Sequence, residues 1–170
     1  MKRAIVLLGL MLAPWIAQAE DFQISVLRKK TETARAGVGH DGDAIKGTEK
    51  CYYQVTVARK AFKPSAAIQA RYILFVEKQE LAQKAGTEQV EKIKGDGKIE
   101  SLKPQGKTTF NTSEVTLREQ SLTGGWSYTN GGRIKAKDSL VGIWIKLFDG
   151  ETEVGEYINP TTLSSKYKWN

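Results

Sequence analysis

The sequence has one cysteine and one histidine among 170 residues, and each scarcity removes a class of proteins. With Cys51 alone, no disulfide can form within the chain, so stability must come from a hydrophobic core and not from a disulfide scaffold. His40 is the only histidine available as a catalytic base, and its glycine-rich surroundings suit a rigid triad poorly. Cys51, within a strand-like segment, is expected to be buried and unreactive.

Motifs that carry common enzyme chemistry are also absent. The sequence has no nucleophile elbow, no zinc-protease helix motif and no phosphate-binding glycine loop. Paired carboxylates for glycoside cleavage follow no local spacing rule, so they stay open. We therefore predict a protein that is not an enzyme, with no catalytic residue and no cofactor.

One short segment contains possible metal ligands. His40, Asp41 and Asp43 lie within four residues of each other. A calcium loop needs further oxygen ligands at fixed spacing, and residues 44–46 (Ala-Ile-Lys) supply none. We interpret the segment as a solvated turn and predict no metal site.

Long hydrophobic runs are missing after the first 19 residues. Residues 1–3 are a short basic start, residues 4–16 are largely apolar, and residues 17–19 (Ala-Gln-Ala) form a small-x-small cleavage signal. This order predicts a signal peptide over 1–19, removed before Glu20, and one domain over 20–170. No later segment has 18 consecutive apolar residues, so we expect no membrane span and a location in the periplasm or at the cell surface.

Charge is dispersed along the chain. The formal net charge is +7, of which two charges belong to the leader. Acidic residues stand between most of the basic ones, whereas a nucleic-acid binder concentrates its positive charge on one face. We therefore expect no nucleic-acid partner.

Alternating apolar and polar residues predict an all-β domain. Strands are expected at 22–26, 51–57, 68–76, 90–93, 99–102, 108–117, 139–148 and 154–158, with 77–85 continuing the third. Glycine-rich stretches at 31–50 and 121–132 are expected to be loops, and Gly95-Asp96-Gly97 to be a hairpin turn. About eight antiparallel strands with frequent turns are typical of an immunoglobulin-like or fibronectin-like β-sandwich.

The strand pattern also predicts the core. Segment 139–148 is apolar on both faces and is expected to be a central strand that leads into an Asp149-Gly150 hairpin. Ile73 and Phe75 lie on the second face of their strand, so that face should be partly covered too. The shared core is expected to contain Tyr53, Val55, Tyr72, Leu74, Val141, Ile143 and Ile145.

The second glycine-rich loop carries the candidate contact residues Trp126, Tyr128 and Asn130. Aromatic rings beside hydrogen-bonding side chains could stack on a sugar, or could form a hot spot for a protein partner. The alternative is that the tryptophan folds back and caps the sandwich core.

Several segments resemble a family of known proteins. These are Tyr52-Tyr53-x-Val55-x-Val57, Asp138-Ser139-Leu140-x-Gly142-x-Trp144, the Asp149-Gly150 hairpin and Asn159-Pro160. Together with the leader, they resemble small secreted immunoglobulin-like sandwich proteins of bacterial envelopes, some associated with type IV pili. The resemblance implies a non-catalytic role in envelope or pilus assembly or in host contact. A pilin retains its apolar segment as a helix, whereas here cleavage follows that segment, so a soluble pilus-associated protein fits better than a pilin subunit.

These patterns lead to two functional hypotheses. The first is a module that binds an envelope or pilus protein by loop contact or along a sheet edge, with Phe22–Lys30 as one candidate edge. The second is a carbohydrate-binding module that uses Trp126 and Tyr128.

Overall fold

The fold is a β-sandwich, as the sequence predicts. The computed structural model describes residues 21–36, 44–84, 86–122 and 127–169. Strands account for 64% of these described residues and helix for 3%, and two antiparallel sheets face each other. The predicted leader lies outside the described residues. Among those described, no helix has both the length and the apolar character needed to cross a membrane.

The structure has nine strands and one short helix in its described part, against about eight strands expected. In chain order they are β1 (Phe22–Ala36), β2 (Ala44–Arg59), β3 (Ile68–Lys78), β4 (Gln89–Ile99), β5 (Lys107–Asn111), β6 (Val115–Leu122), β7 (Lys135–Lys137), β8 (Ser139–Asp149), β9 (Thr152–Asn159) and α1 (Leu163–Lys166).

The strands divide between two sheets. A five-stranded sheet has the order β1-β2-β6-β7, and β5 also pairs with β2. The 16 residues of β2 allow this arrangement, because its first half pairs with β6 and its second half with β5. A four-stranded sheet has the order β4-β3-β8-β9, so β8 is a central strand as predicted.

The space between the sheets holds the inner core. Alternate residues of β2, β3 and β8 point into it, including the fully buried Val55, Leu74 and Ile143. Six of the seven predicted core residues lie in or against this core. Val141 does not, because a β-bulge opposite Phe75 and Val76 turns Leu140 inward and Val141 outward.

A second hydrophobic cluster lies on the outer face of the four-stranded sheet. This outer cluster consists of Ile73, Phe75, Trp144 and Leu163, with Val90, Val141, Ile158, Tyr167 and Trp169 packed against it. Residues 160–169, which we call the tail, follow a cis Asn159–Pro160 bond and lie over this face. The expected cover over Ile73 and Phe75 is thus the C-terminal tail of the same chain.

One predicted loop and two predicted strands are wrong in part, and one short strand was not predicted. Residues 31–36 and 44–50 belong to β1 and β2, which pair with each other in register; residues 37–43 lie outside the described part. β3 ends at Lys78, so the expected continuation to residue 85 does not form. Segment 108–117 is interrupted at residues 112–114 and forms β5 and β6, and the three-residue β7 was not predicted.

The predicted hairpin at Gly95-Asp96-Gly97 is also wrong, because β4 runs straight through these residues. Glycine is needed here because neighbouring side chains occupy the space of a Cβ atom, and not because the backbone turns. A Cβ atom at Gly95 would collide with the ring of Tyr72, and one at Gly97 would lie 2.8 Å from the ring of Phe110. Two glycines in this strand therefore make room for aromatic rings in the sandwich.

Candidate functional site

Strand β1 forms an edge of the five-stranded sheet, as expected for its first half. It pairs with β2 on one side, and no described strand pairs with its other side. The strand is 15 residues long, and its first six residues (Phe22–Leu27) carry no charge. Long unpaired edges without charged side chains are rare in proteins, because they can pair with another chain.

The backbone groups that face outward from this edge can be identified. Lys60 N–H donates to the Asp21 carbonyl at 2.8 Å, which marks that pair as hydrogen-bonded across β1 and β2. Hydrogen-bonded and non-hydrogen-bonded pairs alternate in an antiparallel ladder. Ile24 and Val26, opposite Val57 and Val55, are therefore in non-hydrogen-bonded pairs, and their N–H and C=O groups point away from β2.

Beyond the uncharged stretch, the edge becomes strongly polar. Glu49 on β2 accepts from Arg28 Nη2 and from Lys30 Nζ, both at 2.8 Å. The hydrogen bond from Lys30 and the two positive charges hold the pKa of Glu49 below its ordinary value, against the opposing effect of burial. This charged group, together with a register shift after Lys30, sets the far limit of the uncharged edge.

Cys51 lies behind this charged group and is fully buried. Burial raises the pKa of its thiol, and the nearby guanidinium of Arg28, 3.7 Å from the sulfur, offsets that effect only in part. Burial also raises the pKa of the neighbouring Tyr53. The thiol therefore stays protonated at neutral pH and is shielded, which agrees with the expected free, buried cysteine.

Only part of the predicted contact loop lies within the described residues. Trp126 is outside the described residues, Tyr128 is half-buried, and Asn130 is exposed. Tyr128 and Asn130 belong to one turn, in which Gly131 N–H donates to the Tyr128 carbonyl at 3.0 Å. Asn130 Oδ1 accepts from Gly132 N–H at 2.9 Å, so part of its hydrogen-bonding capacity serves the turn itself.

The same loop is anchored to the connection between β3 and β4. Ala82 N–H donates to the Arg133 carbonyl at 3.0 Å, Arg133 N–H donates to the Gln83 carbonyl at 3.2 Å, and the Arg133 guanidinium pairs with Glu88. These bonds give residues 130–133 a structural role. The sugar-platform and protein-contact hypotheses for Trp126, Tyr128 and Asn130 stay predictions.

Asp138 is a buried carboxylate, which the sequence gave only as part of a motif of resemblance and with no role of its own. It is 4% exposed and accepts hydrogen bonds from the backbone N–H groups of Gln79 (3.1 Å) and Arg118 (3.2 Å). Gln79 follows β3 and Arg118 lies in β6, so one carboxylate connects the two sheets. Because its acceptors are occupied by backbone donors, Asp138 acts as a structural link.

The metal prediction concerns His40, Asp41 and Asp43, all of which lie outside the described residues. Within the described ranges, no three His, Cys, Asp or Glu side chains are grouped so that they could hold a metal ion.

No family model and no curated protein matches the chain. Among solved structures, a target of the Northeast Structural Genomics Consortium is 9% identical, with a TM-score of 0.38, over 83% of this chain and 89% of that one. A protein from Akkermansia muciniphila is also 9% identical, with a TM-score of 0.28, over 88% of this chain and 78% of that one. At these TM-scores neither likeness carries an argument about function.

Proposed function

We propose that the chain is a secreted, non-enzymatic module of the bacterial envelope that binds a protein partner, such as a pilus or pilus-assembly component, along the edge of β1. The observation that carries the proposal is the unpaired, uncharged edge over Phe22–Leu27. A partner strand added there would gain main-chain hydrogen bonds in the way that other sheet edges recruit peptides.

The other edges of the sandwich are less suited to this role. On β4, Lys92, Lys94 and Lys98 place positive charge along the strand, which discourages edge pairing. On β9, Glu153 and Glu156 are engaged by Lys146 of the neighbouring strand. β7 has three residues and β5 has five, fewer than the uncharged part of β1.

Side chains on the outer face of β1 would contribute to specificity. Gln23, Ser25 and Leu27 are exposed, and Leu27, at 55% exposure, is one of the few large hydrophobic side chains at the described surface. A partner strand would place alternate side chains on this face beside Leu27. An apolar residue there would add contact area to the main-chain hydrogen bonds.

A proline at Val26 tests the proposal, with alanine as its matched control. Val26→Pro removes an N–H that points outward and leaves the hydrogen bonds between β1 and β2 in place, because proline lacks only that donor. Val26→Ala removes the same side-chain contacts and keeps the N–H. A photo-crosslinking residue at exposed Gln23 would report the neighbour of the edge in intact cells, and mass spectrometry would identify it.

We expect one defined envelope protein to be cross-linked in the parent and in Val26→Ala, and lost in Val26→Pro at equal protein levels. Equal cross-linking in all three would contradict strand addition at this edge. Amino-terminal sequencing of the exported protein tests the secretion claim separately, with Glu20 as the expected first residue. Hydrolysis of a polysaccharide or peptide by the purified protein would overturn the non-enzymatic claim.

A further inference from the structure

A groove on the outer face of the four-stranded sheet lies beside the tail, away from the β1 edge. Its cavity of about 600 Å³ is lined by Gln69, Arg71, Lys94, Asp96 and Trp169, above a floor that includes Ile73 and Gly95. We call this the outer groove. A smaller cavity of about 370 Å³ shares Gln69 and Asp96 with it and extends to Phe148. Cavities of about 300–1,000 Å³ are the usual size of small-molecule sites.

Arg71 is held in place at the centre of the groove. Its guanidinium carbon lies 4.7 Å from the centre of the Phe148 ring, and its Nε and Nη2 atoms donate to Gln69 Oε1 at 3.2 and 3.1 Å. No carboxylate in the described part of the chain lies within ion-pair distance of it. Stacking on the Phe148 ring and the hydrogen bonds to the Gln69 amide thus fix the orientation of the guanidinium. Some of its N–H donors stay free for a ligand.

Asp96 faces the groove from the neighbouring strand. It is directly opposite Arg71 in the pairing of β3 with β4, yet the two side chains form no ion pair, because Arg71 leans toward Phe148 on the other side. Lys94, two residues earlier on the same face, also has no ion-pair partner among the residues described. The groove therefore brings together the Asp96 carboxylate, which has no ion-pair partner in the described part of the chain, the oriented guanidinium of Arg71 and the exposed ammonium of Lys94.

Trp169 forms the aromatic wall of the groove. Its ring packs edge-on against Trp144 with centres 5.4 Å apart, and the ammonium of Lys146 lies 5.4 Å from its centre. The preceding residue is fastened by a hydrogen bond from Lys92 Nζ to the Lys168 carbonyl at 3.2 Å. The indole is therefore positioned by its neighbours and is only half-buried.

We propose that the outer groove binds a saccharide, with one sugar ring stacked on Trp169 and its hydroxyl groups bonded by Asp96, Arg71 and Gln69. A sugar hydroxyl both donates and accepts, which matches a carboxylate beside a guanidinium and an amide. The C–H face of the ring matches the apolar face of an indole. A single-stranded nucleic acid would need a uniformly positive groove, and Asp96 opposes that.

Glycan binding to the purified protein tests this proposal. The probes are an array of neutral, sialylated and sulfated oligosaccharides together with fragments of bacterial polysaccharides, and each hit is then titrated by calorimetry. Asp96→Asn and Arg71→Ala change exposed side chains, so the fold should be kept. Tyr128→Ala is the matched control in the predicted loop, and Val26→Pro is the control for the β1 edge.

We expect saturable binding to a defined glycan, weakened by about tenfold or more in Asp96→Asn and in Arg71→Ala, and unchanged in both controls. Three results would overturn the proposal. The first is that no glycan binds at probe concentrations up to about 1 mM. The second is binding that is lost in Tyr128→Ala but kept in the groove variants. The third is binding to sulfated glycans alone, which disappears with added salt and does not depend on Asp96. None of these outcomes bears on the β1 edge.

Discussion

The two hydrophobic clusters of this protein lie on opposite faces of the same sheet and are built in different ways. The inner core is formed by alternating residues of long strands from two sheets, and many of its side chains have no exposed surface. The outer cluster is formed by Ile73, Phe75 and Trp144, and it is closed by ten residues of tail that contain a four-residue helix. Many strands contribute to the inner core, whereas the outer cluster depends on the tail alone for its cover.

Because of this difference, we expect the inner core to supply most of the stability and the outer face to supply the proposed binding site. A sheet that is sealed on both faces would leave no room for a ligand, whereas the tail covers only part of the outer face and leaves the outer groove beside Trp169. Removing inner contacts should unfold the protein, while removing tail contacts should loosen one face. The following variants test that division.

The largest effect is expected at the centre of the inner core. Ile143 is fully buried on β8, between β3 and β9. Ile143→Ala should lower the free energy of unfolding by about 2–5 kcal/mol, through lost burial and the cavity that remains. Chemical denaturation measures this directly. A change below about 1 kcal/mol would contradict the assignment of β8 as the central strand.

A methyl group at Gly95 should have the next largest effect. Its Cβ would collide with the buried Tyr72 ring, which cannot move freely because the Tyr72 hydroxyl accepts from Ser113 N–H at 2.7 Å. Gly95→Ala should cost about 1–3 kcal/mol through overpacking. Asp96→Ala, an exposed change on the next residue, should stay within about 0.5 kcal/mol in the same denaturation assay. Equal effects would argue against the packing role of Gly95.

The outer cluster should respond more weakly. Trp169→Ala removes a half-buried ring and its edge-on contact with Trp144, and should cost about 1–2 kcal/mol. The fluorescence of Trp144 should also shift to longer wavelength as that ring becomes wetter. Lys168→Ala is the matched control, since that side chain is exposed and only its carbonyl is bonded. A loss as large as that of Ile143→Ala would erase the distinction between the clusters.

The smallest loss of stability is expected at Glu49 on β2, which pairs with the charged residues Arg28 and Lys30 of β1. Its pKa is lowered in the folded protein, so the stabilisation is present above the unfolded pKa of about 4.5 and is lost as the pH falls through the lower folded value. Glu49→Gln should lower the free energy of unfolding at pH 7 by less than about 1 kcal/mol. It should also flatten the dependence of stability on pH below 5 in acid titrations followed by circular dichroism. An unchanged acid profile would show that Arg28 and Lys30 do not stabilise the carboxylate.

Sequence alone determined the parts of this protein that depend on local patterns. Alternation gave the second half of β2 and the burial of Cys51, because a side chain's direction in a strand follows from its position. Apolar residues on both faces gave the central strand β8 and the covered second face of β3. The Asp149-Gly150 turn similarly determined the pairing of β8 with β9. The candidate residues Trp126, Tyr128 and Asn130 carry no such pattern, and the described part of their loop is organised by distant partners such as Ala82 and Gln83.

Only the tertiary structure decided the features that depend on distant partners. Gly95 and Gly97 look like a turn in the sequence, yet they pair with β3 as part of a strand and leave room for the rings of Tyr72 and Phe110. Val141 alternates with core residues in the sequence, yet a bulge set by the pairing of β8 with β3 turns it outward. The outer groove combines β3, β4 and the tail, whose residues are far apart in the chain. Such features arise from packing between segments, which no local spacing encodes.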